Sequence, residues 1–273
     1  MNKKIIIITG ATSGIGKALV AHFADENIVY AGYRNPDYER DLKKISNNVR
    51  PFFIDMEKDF IIDGAAVFIK REVEKIDLLI NVAGCVAAGA MENMSTDKLR
   101  KQFDVNTFSH LRFTQKLLDK LVGGRVINIS SMSSFGIFPF VAPYCASKRA
   151  LDILFNSLEI ETNHKIKVIS VKPGVIATPL WEKSIEANQD SINGDTAYNK
   201  EMLYMVKNAK SNGINGLPVE KVVSLISKAA FCSNPKSSYT VGWDAKFAEI
   251  ISKLPQDLIN WLIDLGLKRK GLR

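Results

Sequence analysis

The sequence predicts an α/β fold, a doubly wound parallel sheet with helices on both faces. Three observations predict it. The first strand candidate, Ile5-Ile6-Ile7-Ile8, is apolar at every position, as a strand covered on both faces must be. Strand and helix patterns then alternate along the chain, which builds parallel strands joined by crossover helices. A glycine-rich turn, Thr9-Gly10-Ala11-Thr12-Ser13-Gly14-Ile15-Gly16, joins the first strand to the first helix.

Each element follows from its own periodicity. After the turn, Ile15, Leu19, Val20 and Phe23 recur at helical spacing, and strand character returns at Ile28-Val29-Tyr30-Ala31, completing a βαβ unit. Further strands are expected at 49–54, 77–81, 125–130 and 168–172, separated by helices around 60–74, 97–121 and 144–162. Such a sheet needs right-handed crossovers and opens its ligand crevice at the carboxyl ends of the strands, where the winding reverses; the arrangement is Rossmann-type. No repeat, low-complexity tract or linker interrupts the 273 residues, so one domain spanning 1–273 is expected. Residues 179–217 are polar and rich in Asn, Lys and Met; they read either as a substrate lid or as a surface excursion without a role. In a C-terminal helix over 255–268, Leu258, Trp261, Leu262 and Leu265 share a face ahead of Lys268, Arg269, Lys270 and Arg273. That helix either covers the domain, packs on a partner subunit, or contacts a membrane surface.

Composition narrows the function classes. The chain is 46% hydrophobic and 24% charged, the proportions of a globular protein. Its net charge of +8 is spread along the sequence, which favours anionic ligands without implying nucleic acid. Cys85, Cys145 and Cys232 are odd in number and lack metal-ligand spacing, so neither a disulfide framework nor a metal site is expected and a reducing compartment fits. No apolar run approaches the ~20 residues of a membrane span, and the strand pattern begins too early for a cleavable signal. A cytoplasmic protein is expected.

The glycine turn lets the backbone approach a pyrophosphate, and the free amides and positive dipole end of the following helix favour an anion there. At the tip of the second strand, Ala31-Gly32-Tyr33-Arg34 carries no carboxylate for a ribose 2′-hydroxyl, whereas Arg34 offers a fork of donors to a 2′-phosphate. NADP(H) is therefore expected over NAD(H), against the alternatives that Arg34 is a solvated surface arginine or that Asp37 reaches the ribose.

Tyr144 and Lys148 stand at i and i+4 on one face of a helix that begins near Pro143. A phenol near its ordinary pKa of ~10 is a poor base at neutral pH, and an adjacent cation is expected to lower it. Ser131, at the end of the strand over 125–130, can donate a hydrogen bond to a developing alkoxide. Standing alone, a Tyr-Lys pair on a helix is more often a surface pair. Cys145 has no histidine to activate it, and His22, His110 and His164 show no partner pattern.

Together these residues resemble the short-chain dehydrogenase/reductase family. The motifs are Thr9-Gly10-x-x-x-Gly14-Ile15-Gly16, Asn81-Val82-Ala83-Gly84, Ser131, Tyr144-x-x-x-Lys148 and Pro173-Gly174-x-x-x-Thr178, in family order. Tyr144 stands thirteen positions after Ser131, the interval usual in that family, which selects Ser131 over Ser130, Ser133 and Ser134. The resemblance implies Tyr144 as acid/base, Lys148 as the cation that tunes it and bonds the nicotinamide ribose, and Asn106 as the holder of a relay water. It implies Gly10, Ser13, Ile15 and Gly16 at the phosphates, Asp55 at the adenine, Asn81 and Gly84 on the adenosine side, and Ile176 and Thr178 at the carboxamide. Val82 departs from the family's usual second asparagine, and Ser13 stands where some NADP-using members carry a basic residue. The activity implied is interconversion of a carbonyl and a secondary alcohol. Phe135, Phe138 and Phe140, with Leu180 and Trp181, read either as the wall of a lipophilic pocket or as core and subunit contact; the stretch Val141 to Leu151 is similar to the steroid- and retinol-metabolising branch. Family habit implies a homodimer or homotetramer. The rival functions are a non-catalytic nucleotide-sensing or scaffold protein on the same fold, or an NAD-using epimerase or dehydratase.

Overall fold

The computed structural model describes residues 3–194 and 197–272. The chain runs β1 (Ile5–Ile8), α1 (Gly14–Phe23), β2 (Ile28–Tyr33), α2 (Asp37–Lys43), β3 (Val49–Phe53), α3 (Asp59–Glu72) and β4 (Leu78–Asn81). It continues α4 (Thr96–Phe103), α5 (Ser109–Lys116), β5 (Arg125–Ile129), α6 (Ala142–Glu161) and β6 (Lys167–Pro173). Then come α7 (Leu180–Ala187), α8 (Gln189–Asn193), α9 (Asn199–Asn215), α10 (Val219–Phe231), β7 (Ser238–Val241), α11 (Trp243–Ile251) and α12 (Gln256–Arg269).

Among the described residues the strands form one sheet in the order β3-β2-β1-β4-β5-β6-β7, every pair parallel. The winding reverses between β1 and β4, so the loops leaving these two strands flank the crevice the sequence predicts. The four isoleucines of β1 explain how the layers hold. Ile6 and Ile8 point into a core with Leu19, Val20 and Phe23 of α1 and Val222 and Ile226 of α10. Ile7 points the other way, toward Ile62 and Ile69 of α3, Phe113 of α5 and Phe155 of α6. All three are fully buried, each contributing roughly 1.5–3 kcal/mol of burial.

Five differences from the sequence reading have physical causes. β7 escapes prediction because Ser238-Tyr239-Thr240-Val241 is a half-exposed edge strand with one buried residue; α2 escapes because only Leu42 of its seven residues is buried. The single helix expected over 97–121 is instead α4 and α5, separated by a π-helical turn at Asp104–Phe108. Residues 179–217 hold three helices, α7 to α9, of which only Met202 is a buried helical residue, so they leave little apolar period to read. Finally, α12 seats Ile259 and leaves Leu258, Trp261 and Leu262 exposed, so the apolar face does not cover its own domain. No helix among the described residues is long and apolar enough to cross a membrane.

Candidate active site

Three loops meet at the carboxyl edge of the sheet. The β1 loop turns at Gly10 with φ +62°, a conformation that disfavours any Cβ. A Cβ on Gly16 would lie 2.1 Å from the Gly10 carbonyl oxygen, so α1 can start this close to the loop only with glycine there. Fully buried Thr9 accepts hydrogen bonds from the Val82 and Ala83 amides at 3.0 and 3.3 Å, tying the β1 loop to the β4 loop. Ser13 is the N-cap of α1, yet its hydroxyl caps nothing, and the first-turn amides stay available to an anion. The post-β6 loop closes the third side, with Thr178 and Pro179 packed over Gly14.

The second half of the site lies where β5 ends and α6 begins. A proline in the first turn of α6 fits the helix start, since its missing N–H has no partner to lose. Tyr144 and Lys148 share a face one turn apart, with the Lys148 ammonium 5.9 Å from the centre of the Tyr144 ring. Ser131 lies close enough to the Tyr144 phenol to favour its ionised form, and its Oγ accepts from Ser133 N at 3.1 Å. Lys148 is 4% exposed and donates to the Ile129 carbonyl at 2.8 Å. Asn106 sits in the π-helical turn, its side-chain amide receiving from Cys85 N at 2.9 Å and donating to Cys85 O at 3.0 Å and Ser147 Oγ at 3.2 Å. The extra residue of a π turn re-aims a side chain without ending a helix, which accounts for the break at this position.

The electrostatics correct one expectation. Lys148 does not pull the phenol down. Burial pushes Tyr144 up to about 12, against a smaller lowering from the Ser131 hydrogen bond. Burial also pulls Lys148 down to about 8, with the Asp152 carboxylate working the other way. Desolvation moves both groups toward neutrality, and at this distance the ammonium does not offset it for the phenol. The Tyr144 phenol therefore keeps its proton at neutral pH.

This geometry meets its relatives. The short chain dehydrogenase family matches residues 4–189. The Bacillus subtilis (strain 168) oxidoreductase YusZ is 30% identical over 267 residues, 93% of this chain and 94% of its own. The chain belongs to the short-chain dehydrogenase family. It is also 29% identical to the NADPH-dependent 3-dehydrocapnine reductase of Ornithobacterium rhinotracheale, over 86% of this chain and 87% of that one. A solved short-chain dehydrogenase from Streptomyces avermitilis superposes with TM-score 0.78 at 25% identity, covering 99% of this chain and 97% of that chain.

The remaining expected residues of this dehydrogenase divide by where their side chains go. Arg34, at the tip of β2, is 66% exposed and pairs with Glu57 at 2.9 Å; Glu57 also holds Lys101 at 2.9 Å. Asp37 is the first residue of α2, its amide donating to Asn35 Oδ1 at 3.0 Å. Asp55 follows β3, buried, and accepts from Glu57 N at 3.0 Å. Asn81 is only 1% exposed; its Nδ2 donates to Asn128 Oδ1 at 2.8 Å, while its buried Oδ1 has no partner among the described residues. Gly84 lies against Asn106 and the Lys148 ammonium. Ile15 and buried Ile176 pack into the core.

Other residues hold the site together without a sequence signal, because their partners lie far away in the chain. Asp244 Oδ2 receives the Val175 amide at 2.6 Å and fixes the loop after β6. Buried Asn188, between α7 and α8, accepts from Ala88 N at 2.8 Å and donates to Val86 O at 2.7 Å. Gln102 binds both Cys85 O and Ala87 N. His110 bonds Ala83 O at 2.8 Å, and burial pushes its ring down to about 3, so it stays neutral and structural.

The aromatic run is divided. Phe135 lies 4.4 Å beneath the Lys172 ammonium, which pairs with buried Asp152 at 3.0 Å. Phe140, held at φ +68°, faces the Tyr198 ring at 6.0 Å. Trp181 donates from its indole to Ile176 O at 2.7 Å and packs toward Gly213, which ties α7 to the loop after β6 and to α9.

Proposed function

We propose that this dehydrogenase is an NADP(H)-dependent reductase that converts a carbonyl to a secondary alcohol, on a lipophilic substrate. The observation that carries the reading is the cluster of Ser131, Tyr144 and Lys148 beside a glycine loop whose helix amides remain available for phosphates. The residues present fit a nicotinamide dinucleotide: the close contact of Gly10 and Gly16 leaves backbone amides rather than side chains at the α1 start. When bound, that cofactor supplies the hydride that reaches the carbonyl carbon.

Tyr144 then gives its phenolic proton to the carbonyl oxygen, and the C=O double bond becomes C–H and O–H. A phenol held high in pKa is in the right form for this step. Ser131 stabilises the negative charge growing on the oxygen by donating its hydroxyl hydrogen. Lys148 holds positive charge behind the phenol as it loses its proton, and Asn106, hydrogen-bonded to Cys85 and Ser147, fixes the wall next to that lysine.

NADP(H) over NAD(H) is supported by Arg34, whose exposed ion pair with Glu57 is worth little and exchanges readily for a phosphate. The relative named as NADPH-dependent points the same way. Phe140 and the neighbouring lid residues support an apolar substrate, with 179–217 acting as the lid of one domain. The three free cysteines suit a reducing, cytoplasmic setting, and exposed Phe108, Ile153 and Ile160 suit burial in a homodimer or homotetramer.

The test is to incubate the purified enzyme with NADPH and a panel of ketones of increasing apolar size, following loss of reduced-cofactor absorbance. Turnover rising with apolar size, and falling at least about a hundredfold in Tyr144→Phe, is the expected result. Turnover unaffected by Tyr144→Phe removes the phenol from the reaction.

A further inference from the structure

We infer that Lys183, on the lid, is a cofactor-anchoring residue: α7 carries its ammonium onto the glycine loop, where it neutralises a phosphate of the bound dinucleotide. The inference rests on the dinucleotide reading above and adds to it a residue outside the motifs that support that reading.

Lys183 Nζ donates to Ser13 Oγ at 3.1 Å, across 170 residues of chain. Ser13 is the N-cap residue of α1, so this contact puts an ammonium at the positive end of a helix whose first amides carry no side-chain cap. Two positive ends facing one another are unfavourable unless an anion lies with them. The partner in the structure is a neutral hydroxyl, and among the described residues Lys183 joins no salt bridge, in contrast to Arg34 and its Glu57. From Thr9 to Gly16 the loop itself contains no charged side chain, so a phosphate bound there otherwise receives only amides and neutral hydroxyls.

The lysine's position is set by more than its own flexible stem. Pro179 and Lys183 stand at i and i+4, with Lys183 N bonded to Pro179 O at 3.1 Å, so they share one face of α7. That face meets the glycine loop, since Pro179 also packs over Gly14. The Trp181 indole, bonded to Ile176 O, fixes the rotation of the same turn. The basic group absent from position 13 is thereby supplied from the lid.

The experiment is equilibrium binding of NADPH and NADH, by calorimetry, to wild type, Lys183→Met and Lys183→Arg, at low and at high salt. Lys183→Met is expected to weaken binding about tenfold at low salt and less at high salt, with Lys183→Arg close to wild type. Equal loss for both nucleotides places the ammonium on the pyrophosphate; loss for NADPH alone places it on the 2′-phosphate; either supports the inference. Unchanged affinity for both nucleotides in Lys183→Met, with a native melting temperature, overturns it. A wild-type protein that binds neither nucleotide overturns the cofactor reading as well, which separates the two failures.

Discussion

Tyr144 and Lys148 show how one environment sets two protonation states. Both are moved toward neutrality by burial, and the lysine, at about 8, is the one that titrates near physiological pH. If its charge supports proton donation by the phenol, kcat/KM for ketone reduction is level below about pH 7 and falls as the ammonium loses its proton through about pH 8. Lys148→Met removes that limb and leaves a low, flat profile. Stability carries the opposite sign. Between about pH 8 and the ordinary lysine value of 10.5 the unfolded chain holds the proton and the folded chain does not, so this group adds stability as pH rises through that window. Urea titrations across that window check it, and the rise is absent in Lys148→Met. At this scale the sequence was informative about identity and poor about environment: the spacing of Ser131, Tyr144 and Lys148 is visible in the chain, whereas the burial that raises Tyr144 comes from residues brought together only by folding.

The elements around the crevice behave differently from the sheet that bears them. β1, α1 and α6 are legible because their apolar periods report burial on both faces, and the ends of β1 and β4 can be placed from them. The lid helices α7 to α9 are tied by polar contacts, which leave no period. Asn188 holds the proposed lid to the β4 loop through Ala88 N and Val86 O, and it also donates to Ser184 O at 2.6 Å in α7. Asn188→Ala leaves part-buried backbone groups unpaired, at a cost of about 1–2 kcal/mol. Hydrogen exchange is expected to speed up through 180–193 and 86–88 while the strands β1, β4 and β5 keep their protection, and the ketone KM is expected to rise. Uniform loss of protection across the sheet would mean that Asn188 supports the whole fold rather than the lid. The π turn that breaks the expected helix belongs to the same lesson: it is built around Asn106 and its bonds to Cys85 and Ser147, partners that no local periodicity reveals.

For the whole molecule, the parallel sheet brings to one edge what the chain distributes over 170 residues: the phosphate loop after β1, the β4 loop, Ser131 after β5, and Thr178 after β6. That convergence was predictable, because crossover topology dictates which strand ends meet. The open face of α12, with Trp261 58% exposed, was not, since helical spacing marks an apolar stripe without saying what covers it. The central claim is that a hydride and a proton reach one carbonyl at this edge, the proton from Tyr144. The most direct measurement supplies NADPH deuterated at the transferred position of the nicotinamide and a turned-over ketone, and reads the product alcohol by mass spectrometry and NMR. One deuterium on the carbinol carbon, with the hydroxyl hydrogen drawn from solvent, is what the account predicts. Product carrying no label at that carbon, or consumption of NADPH without an alcohol, would contradict it.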